Sequence, residues 1–233
     1  MNSAEWRVMR RVINIAIDGP AGAGKSTIAK SLAKQLEFVY VDTGAMYRAM
    51  GLYFLRNEIK ASETEKIEAA CDQIDVAIEY VDGEQQVLLN GENVTHLIRT
   101  EEVGNMTSAV SVNGKVRAKL VELQQALAKK TSVIMDGRDI GTKVLPEADL
   151  KLYLTASSYT RAKRRWLELT NKGISCSIEE IEKDIIDRDY RDMNREISPL
   201  TQAKDAILVD SSEMNIDEVI SHILSLVHEK VGC

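Results

Sequence analysis

Five short apolar segments recur along the chain, separated by longer stretches in which apolar positions repeat at helical spacing. The segments are VINIAID (12–18), FVYVD (38–42), SVIMD (132–136), LKLYL (150–154) and AILVD (206–210). None of them shows the sustained polar alternation of a half-exposed strand, so they favour strands buried on both faces of a parallel sheet. Four of the five end in an aspartate.

Helical periodicity occupies the stretches between these segments, at 26–36, 113–130, 158–173 and 215–231. Strands that alternate with helices predict a doubly wound α/β fold, here with a five-stranded parallel sheet. The 233 residues are enough for one large domain or two small ones with a buried core.

One region interrupts this alternation. Residues 62–98 contain nine carboxylates, a single lysine and no arginine. After a short helical stretch, two dipeptides that favour tight hairpin turns follow, Asp82-Gly83 and Asn90-Gly91. The pattern predicts a three-stranded antiparallel meander inserted into the core, and it leaves open whether this meander is functional or a surface hairpin without a role.

Charge and cysteine content narrow the classes of protein. The formal net charge of −6 argues against a general nucleic-acid binder. Cys71, Cys176 and Cys233 form no CxxC pair and are odd in number, which favours free thiols in a reducing compartment. No apolar run is long enough for a signal peptide or a membrane span. We therefore expect a soluble cytoplasmic protein, taken as a monomer, that binds neither nucleic acid nor membrane.

The segment GPAGAGKST matches the phosphate-binding pattern GxxxxGK[ST], follows a predicted strand and opens a predicted helix. Its glycines allow backbone N–H groups to face phosphate oxygens, and the helix N-terminus adds a favourable dipole. Lys25 is expected to reach the β- and γ-phosphates, and Ser26 to ligate Mg²⁺. The predicted nucleoside triphosphate site consists of Gly19, Pro20, Ala21, Gly22, Ala23, Gly24, Lys25, Ser26 and Thr27.

P-loops occur in GTPase switches, ATP-driven machines and small-molecule kinases. A GTPase needs DxxG, which this chain lacks, and NKxD, which is approached only by NKGI with Ile174 in place of the carboxylate. That near match is better explained by a helix end with Gly173 as its cap. A kinase needs a second pocket for its acceptor and a mobile element that excludes water. The insert and an arginine-rich region near 161–195 are candidates for these parts, so a kinase fits best.

Two stretches place arginines at helical spacing. The first carries Arg161, Arg164 and Arg165, and the second carries Arg188, Arg191, Asp192 and Arg195. A solvated helix with Arg188–Asp192 and Asp192–Arg195 ion pairs is one account of this pattern. In a chain with a P-loop, we favour guanidinium groups that neutralise the oxygens of a transferred phosphoryl group.

Two other segments follow core strands, DTGAMYR (42–48) and DGRDIGT (136–142). Ligands of open α/β sheets bind beyond the carboxyl ends of the strands, so both segments are expected to face the crevice of the P-loop. They are the candidates to line the acceptor pocket.

Five motifs together resemble those of the bacterial cytidylate kinases: GPAGAGKST, DTGAMYRA, IRTEEVGNMTSAVSVNGKVR, DGRDIGT and RDYRDMNREISPL. The resemblance runs from about Val12 to the last helix, and DGRDIGT and the meander are its most family-specific parts. It implies a P-loop core of residues 11–61, 99–159 and 196–233, an insert at 62–98 that binds the nucleoside monophosphate, and a helical lid at 160–195.

The resemblance also implies a role for each motif residue. It assigns the cytosine to Ser108, Arg117 and Asp139, with Thr43 near the base. It assigns the acceptor phosphate to Arg48, Arg138 and Arg188, and the ribose to Asp192 supported by Arg195. It assigns Arg161 and Arg165 to a lid that closes over ATP. The catalytic set is then Lys25, Arg138, Arg161, Arg165 and Arg188.

The implied reaction is the transfer of a phosphoryl group from ATP, with Mg²⁺, to CMP or dCMP. A carboxylate and an arginine complement the exocyclic amine and the acceptors of cytosine, whereas uracil would present a carbonyl to Asp139. Asp42 and Asp136 are both candidates to orient the waters of Mg²⁺. Two alternatives remain open, namely a P-loop kinase for another small acceptor such as UMP, and a non-catalytic ATP-binding regulator.

Overall fold

The computed structural model describes residues 11–232, so that Cys233, one of the three predicted free thiols, lies outside the described residues. Its strands are β1 (Asn14–Asp18), β2 (Val39–Asp42), β3 (Val76–Val81), β4 (Glu84–Leu89), β5 (Glu92–Asn93), β6 (Val133–Gly137), β7 (Leu150–Thr155) and β8 (Ile207–Asp210). Its α-helices are α1 (Lys25–Leu36), α2 (Thr43–Arg56), α3 (Thr64–Cys71), α4 (Glu101–Val110), α5 (Gly114–Ala128), α6 (Ser158–Asn171), α7 (Ile178–Asn194) and α8 (Ile216–Val231). A π-helical turn spans Ile140–Val144.

The five predicted core strands form one parallel sheet in the order β2-β6-β1-β7-β8. The central strands are almost wholly buried because helices cover both faces, which is why their sequences are continuously apolar. The doubly wound α/β fold predicted from the apolar segments is confirmed.

Two apolar clusters flank this sheet. One combines strand residues such as Ile15 and Leu152 with Leu32 of α1 and Ile223 of α8. The other contains Met135 and lies against α5 and the π-helical turn. The clusters fix the strands in register, so the loops at their carboxyl ends start from a rigid base.

The predicted meander is confirmed as the antiparallel sheet β3-β4-β5, with turns at Asp82-Gly83 and Asn90-Gly91 that have positive φ. A third apolar cluster joins this sheet and α3 to helices α2, α4 and α5, through residues such as Phe54, Val87 and Leu120. The insert therefore shares its hydrophobic core with helices that lie outside residues 62–98.

Helices α2 and α4 were not predicted. α2 begins directly after β2, with Asp42 as its N-cap accepting from the Ala45 N–H, and two of its residues are glycines. Every residue of α2 except Gly44 and Arg56 is buried or half-buried, so the helix lacks the contrast between an apolar and a polar face that marks a surface helix. α4 is capped by Thr100 and has Glu101 and Glu102 in its first turn, which are helix-start signals that a short segment still carries.

Within residues 11–232, no helix is both long enough and apolar enough to cross a lipid bilayer. Cys71 is buried, Cys176 is half-buried, and both are free thiols in this part of the chain.

Candidate active site

The candidate site lies at the carboxyl ends of the central strands. β1 leads into the P-loop and β6 leads into residues 137–144, and these strands are neighbours with Asp18 opposite Gly137. The two loops therefore leave the sheet side by side, at the position where open α/β sheets bind their ligands. The structure places the two sequence motifs side by side at the carboxyl edge of the sheet.

Glycine allows the P-loop to turn sharply at the end of β1. Gly19 has a φ of 149°, and a Cβ at this position would lie 2.0 Å from the Leu154 carbonyl oxygen of β7. Gly24 has a φ of 88° and is the N-cap of α1. This backbone turns successive N–H groups toward the helix N-terminus, where an anion is favoured.

Lys25 is the first residue of α1, and its side chain is buried. Its Nζ donates to the Pro20 carbonyl at 2.7 Å, so the ammonium lies across the P-loop. Burial, and then the charge of Arg138, lower the pKa of Lys25 below its usual value. A bound polyphosphate would favour the charged form of this lysine, because an adjacent negative charge opposes both effects.

Ser26 and Tyr40 hold the carboxylate of Asp136 at the end of β6. The Ser26 hydroxyl donates to Oδ2 at 2.8 Å, and the Tyr40 hydroxyl donates to Oδ1 at 2.9 Å. Burial and the charge of Asp42 raise the pKa of Asp136. A hydroxyl and a carboxylate are hard oxygen ligands, and Mg²⁺ with a nucleotide needs only one or two from the protein. These residues fit Mg²⁺.

Asp42 has other partners. Its Oδ2 accepts from Arg99 Nη2 at 2.6 Å, and its Oδ1 accepts from the Ala45 N–H at 3.0 Å as the cap of α2. Asp136 accepts from Ser26 and neither oxygen of Asp42 does, so the geometry favours Asp136 over Asp42 as the carboxylate of a Mg²⁺ site.

Three arginines from three elements converge beside the P-loop: Arg48 of α2, Arg138 after β6 and Arg188 of α7. Burial, followed by the charge of Arg138, lowers the pKa of Arg188, and the charge of Arg48 contributes as well. Arg48 Nη1 donates to the Ile98 carbonyl at 3.0 Å. The Nε of Arg188 is buried without a hydrogen-bond partner in residues 11–232. Mutually repelling guanidinium groups with an unused donor suit a phosphate, which neutralises them and accepts from several N–H groups.

Asp192 joins α7 to this arginine cluster, because its Oδ2 accepts from Arg138 Nε at 2.9 Å. Burial opposes the ionisation of Asp192, but the charge of Arg138 and this hydrogen bond hold the pKa of the carboxyl below its usual value. The alternative of a solvated helix with Arg188–Asp192 and Asp192–Arg195 pairs does not hold, since neither ion pair forms within the described residues.

Asp139 and Arg117 form a second buried ion pair. Arg117 comes from α5, and its guanidinium lies 5.6 Å from the centre of the Tyr47 ring. Arg195 Nη2 is 3.8 Å from Asp139 Oδ1 and finds no hydrogen-bond partner among the described residues. The result is a buried patch with a carboxylate, two guanidinium groups and an aromatic face.

Thr43 and Ser108 lie on the helices around this patch. The Thr43 hydroxyl is buried and donates to the Asp136 carbonyl at 2.7 Å, which fixes the start of α2 against the end of β6. Ser108 lies on α4, which packs against α2, and its side chain is half-buried.

The three arginines of α6 do not act as one face. Arg161 is buried, with Nη1 donating to the Ala21 carbonyl of the P-loop at 2.9 Å and Nη2 2.6 Å from Asp189 of α7. Arg164 donates to a backbone carbonyl that follows β8. Arg165 is half-exposed and pairs with Glu168 on its own helix. In this conformation only Arg161 touches the P-loop.

Sequence reasoning missed three residues near the P-loop, namely the buried Asp18 and Tyr40 and the half-buried Asp189. Asp18 and Tyr40 lie within apolar strand segments, and a strand pattern alone does not distinguish them from structural residues. The available signal for Asp18 was its place directly before the P-loop. Asp189 carries no motif that would point to its pairing with Arg161.

The fold and the arrangement of its loops are those of a P-loop kinase, with a phosphate-binding loop beside a cluster of arginines. The chain belongs to the cytidylate kinase family, whose family model matches residues 15–229.

The similar proteins agree with this assignment. The chain is 53% identical to the cytidylate kinase of Caldicellulosiruptor saccharolyticus over 220 residues, which cover 94% of this chain and 97% of that protein. It is 49% identical to the cytidylate kinase of Desulfitobacterium hafniense over 223 residues, with 96% of each chain covered. A crystal structure of an uncharacterized protein from Eubacterium ventriosum has a TM-score of 0.51 at 13% identity, covers 93% of this chain and 98% of its own, and is similar in fold alone.

Proposed function

We propose that this protein transfers the γ-phosphoryl group of ATP to CMP and dCMP, forming the diphosphates. The observation that supports the proposal is the position of a cluster of three arginines beside the P-loop. The P-loop offers backbone N–H groups and Lys25, and the facing cluster offers Arg48, Arg138 and Arg188. A donor polyphosphate and an acceptor phosphate fit these sites, and phosphoryl transfer depends mainly on their positioning and on charge stabilisation.

On the donor side, the P-loop residues 19–27 would hold the phosphates of ATP, and Lys25 would leave the Pro20 carbonyl for the β- and γ-phosphates. Ser26 and Asp136 would hold Mg²⁺, which neutralises charge on the phosphate oxygens when it is bound.

On the acceptor side, the arginine cluster would bind the phosphate of CMP. The Nε of Arg188 is a buried donor without a partner in residues 11–232, and phosphate oxygens are suitable acceptors for it. No catalytic base is required, since a phosphate monoester with a second pKa of about 6 is mostly dianionic at neutral pH. The lack of a histidine in the site is therefore consistent with the reaction.

The base would lie in the patch formed by Asp139, Arg117 and Tyr47, with Ser108 and Thr43 on the flanking helices. The carboxylate accepts from the exocyclic amine of cytosine, and the guanidinium donates to its ring acceptors. Uracil would place a carbonyl against Asp139, at a cost of about 1–3 kcal/mol for the mispaired acceptors.

Asp192 would accept from the ribose hydroxyls, with Arg195 behind it, and its bond to Arg138 would tie the sugar to the phosphate site. Residues 160–195 would act as a lid and residues 62–98 as the insert that binds the monophosphate. In the lid, Arg161 already contacts the P-loop, whereas Arg165 would reach ATP only after closure. We also propose a monomer that works in the cytoplasm, in keeping with the free thiols Cys71 and Cys176.

A coupled assay of ADP release tests this proposal across CMP, dCMP, UMP and AMP with ATP and Mg²⁺. The expected result is turnover with CMP and dCMP at kcat/KM at least about tenfold above UMP, since the base patch suits cytosine. Preference for UMP would assign the patch to a different base. ATP binding without turnover of any acceptor would support the non-catalytic alternative.

A further inference from the structure

Asp18 is the last residue of β1 and directly precedes Gly19 of the P-loop. In the sheet it lies between Gly137 of β6 and Tyr153 of β7, and it is 4% exposed. It is therefore a buried carboxylate at the junction of the two substrate sites, and it matches none of the motifs identified in the sequence.

Both oxygens of Asp18 are used by the neighbouring loop. Oδ1 accepts from the Ile140 N–H at 2.8 Å, and Oδ2 accepts from the Gly141 N–H at 2.7 Å. These N–H groups are the first two after Asp139, the carboxylate that pairs with Arg117. The side chain of Asp18, directly before the P-loop, thus holds the backbone that follows Asp139, the carboxylate proposed to read the base.

The backbone at Asp139 needs such support. Its φ of −145° and ψ of 29° are not those of a regular strand or helix, and the π-helical turn begins at the next residue. Rotation of this backbone would swing the Asp139 carboxylate away from Arg117 and Arg195. Two charge-assisted hydrogen bonds from a rigid central strand oppose that rotation.

A carboxylate is a costly residue for a purely structural link. Burial raises the pKa of Asp18 from 3.8 to about 6, which means that the ionised carboxylate costs folding free energy at this position. An asparagine would be cheaper to bury, but it offers only one acceptor oxygen and would turn an NH₂ group toward the second N–H.

We propose that Asp18 is a positioning residue for the acceptor: it fixes residues 138–141 relative to the P-loop, so that base recognition and the acceptor phosphate site stay in register with bound ATP. This inference rests on the proposed transfer to CMP. It assigns Asp18 no contact with either nucleotide.

The test compares Asp18→Asn and Asp18→Ala with Asp149→Asn. Asp149 is a matched control, because its carboxylate also accepts from a backbone N–H group. Its Oδ2 accepts at 2.8 Å from Asn14, which begins the strand β1 that Asp18 ends. KM values for CMP and ATP, kcat, and melting temperature are measured for each variant. Hydrogen exchange is measured at the Ile140 and Gly141 amides without nucleotide.

We expect Asp18→Asn to raise KM for CMP about tenfold and to change KM for ATP less than about threefold, since one of two charge-assisted bonds is lost. Asp18→Ala should raise KM for CMP further. Both amides should exchange slowly in the wild type and much faster in the variants. Asp149→Asn should leave both KM values unchanged.

Equal losses for ATP and CMP, or an unchanged KM for CMP in an active Asp18→Asn enzyme, would overturn the positioning role alone. A wild type that does not phosphorylate CMP would overturn the proposed function itself. If the Asp18 variants do not fold, hydrogen exchange of the wild type tests the proposal. Fast exchange at the Ile140 and Gly141 amides would contradict it without any variant.

Discussion

The proposed donor and acceptor sites are built in different ways. The donor site is a run of nine consecutive residues whose backbone turns around the start of α1. The acceptor site consists of side chains from α2, α5, α7 and the segment after β6, with no two of the key arginines adjacent in sequence.

This difference explains what each site needs from the fold. The donor site needs glycine and a helix N-terminus, which local sequence supplies. The acceptor site needs four elements in register, and its guanidinium groups repel one another until an anion arrives. We therefore expect the proposed acceptor site, and not the donor site, to reduce the stability of the free protein.

Lys25→Ala tests the donor side and has the largest expected effect. Loss of the buried ammonium should lower kcat about 10²–10³-fold, as removal of one preorganised charge does in other enzymes. Lys30→Ala is the control, since Lys30 lies exposed on the same helix and pairs with Glu84 at 2.9 Å. Near-normal turnover in a folded Lys25→Ala protein would break the donor assignment.

Arg188→Met tests whether the acceptor cluster trades stability for binding. The variant keeps an apolar stem, so KM for CMP should rise at least about tenfold as charged hydrogen bonds are lost. The melting temperature should stay the same or rise, because burial and Arg138 disfavour the Arg188 charge in the folded protein. The control is Arg191→Met, because Arg191 is exposed on the same helix. This variant should change neither KM for CMP nor the melting temperature. A clear drop in melting temperature would make Arg188 a structural residue.

Asp192→Asn separates sugar recognition from the positioning of Arg138. Both substrates should bind less well because the bond to Arg138 is weakened. The loss should be about 3–10-fold greater for CMP than for dCMP, since only CMP has a 2′-hydroxyl to donate to the carboxylate. Equal losses in KM would assign Asp192 to Arg138 alone.

The pH dependence of stability reports the cost of Asp18. Its pKa is about 6 in the folded protein against 3.8 ordinarily, so between these values the folded state binds a proton that the unfolded state has released. The unfolding free energy of the wild type should therefore fall as pH rises across this window, by up to about 1.4 kcal/mol per pH unit. Denaturant titrations at several pH values should show a shallower slope for Asp18→Asn. Parallel slopes would contradict the buried-charge account.

Arg165→Ala has the smallest expected effect on the free protein. Its exposed pair with Glu168 contributes little, so the unfolding free energy should change by less than about 0.5 kcal/mol. If residues 160–190 close over ATP, kcat should nevertheless decrease, and their hydrogen exchange should slow with both nucleotides bound. Unchanged exchange in a fully bound complex would leave Arg165 a surface residue.

The sequence supported prediction of the main sheet, the meander and the P-loop, because each rests on local patterns such as Asn90-Gly91 or GPAGAGKST. Helix α2 was not predicted because nearly all of its residues are buried or half-buried, so it lacks the contrast between an apolar and a polar face that marks a surface helix. The pattern also gave no hint that the insert shares its core with α2, α4 and α5.

The proposed acceptor site was assigned residue by residue only through resemblance to a family. Helical spacing suggested that Asp192 pairs with Arg188 or Arg195, but its partner is Arg138, which is far away in sequence. Spacing likewise put Arg161 and Arg165 on one face, whereas packing directs the first to the P-loop and leaves the second in solvent. Tertiary contacts determine these pairings, and residue spacing within one helix does not predict them.

The docking of the meander on β2 has a consequence for solubility. β2 is an edge strand, and edges with free N–H and C=O groups can recruit strands from other molecules. Here the Gln85 side chain accepts from the Asp42 N–H at 2.8 Å and donates to the Asp42 carbonyl at 3.3 Å, while the Tyr80 hydroxyl donates to the Tyr40 carbonyl at 2.8 Å. Side chains of the insert thus occupy three backbone groups of β2 that an invading strand would otherwise use, so we expect the insert to limit edge-to-edge association as well as to bind substrate.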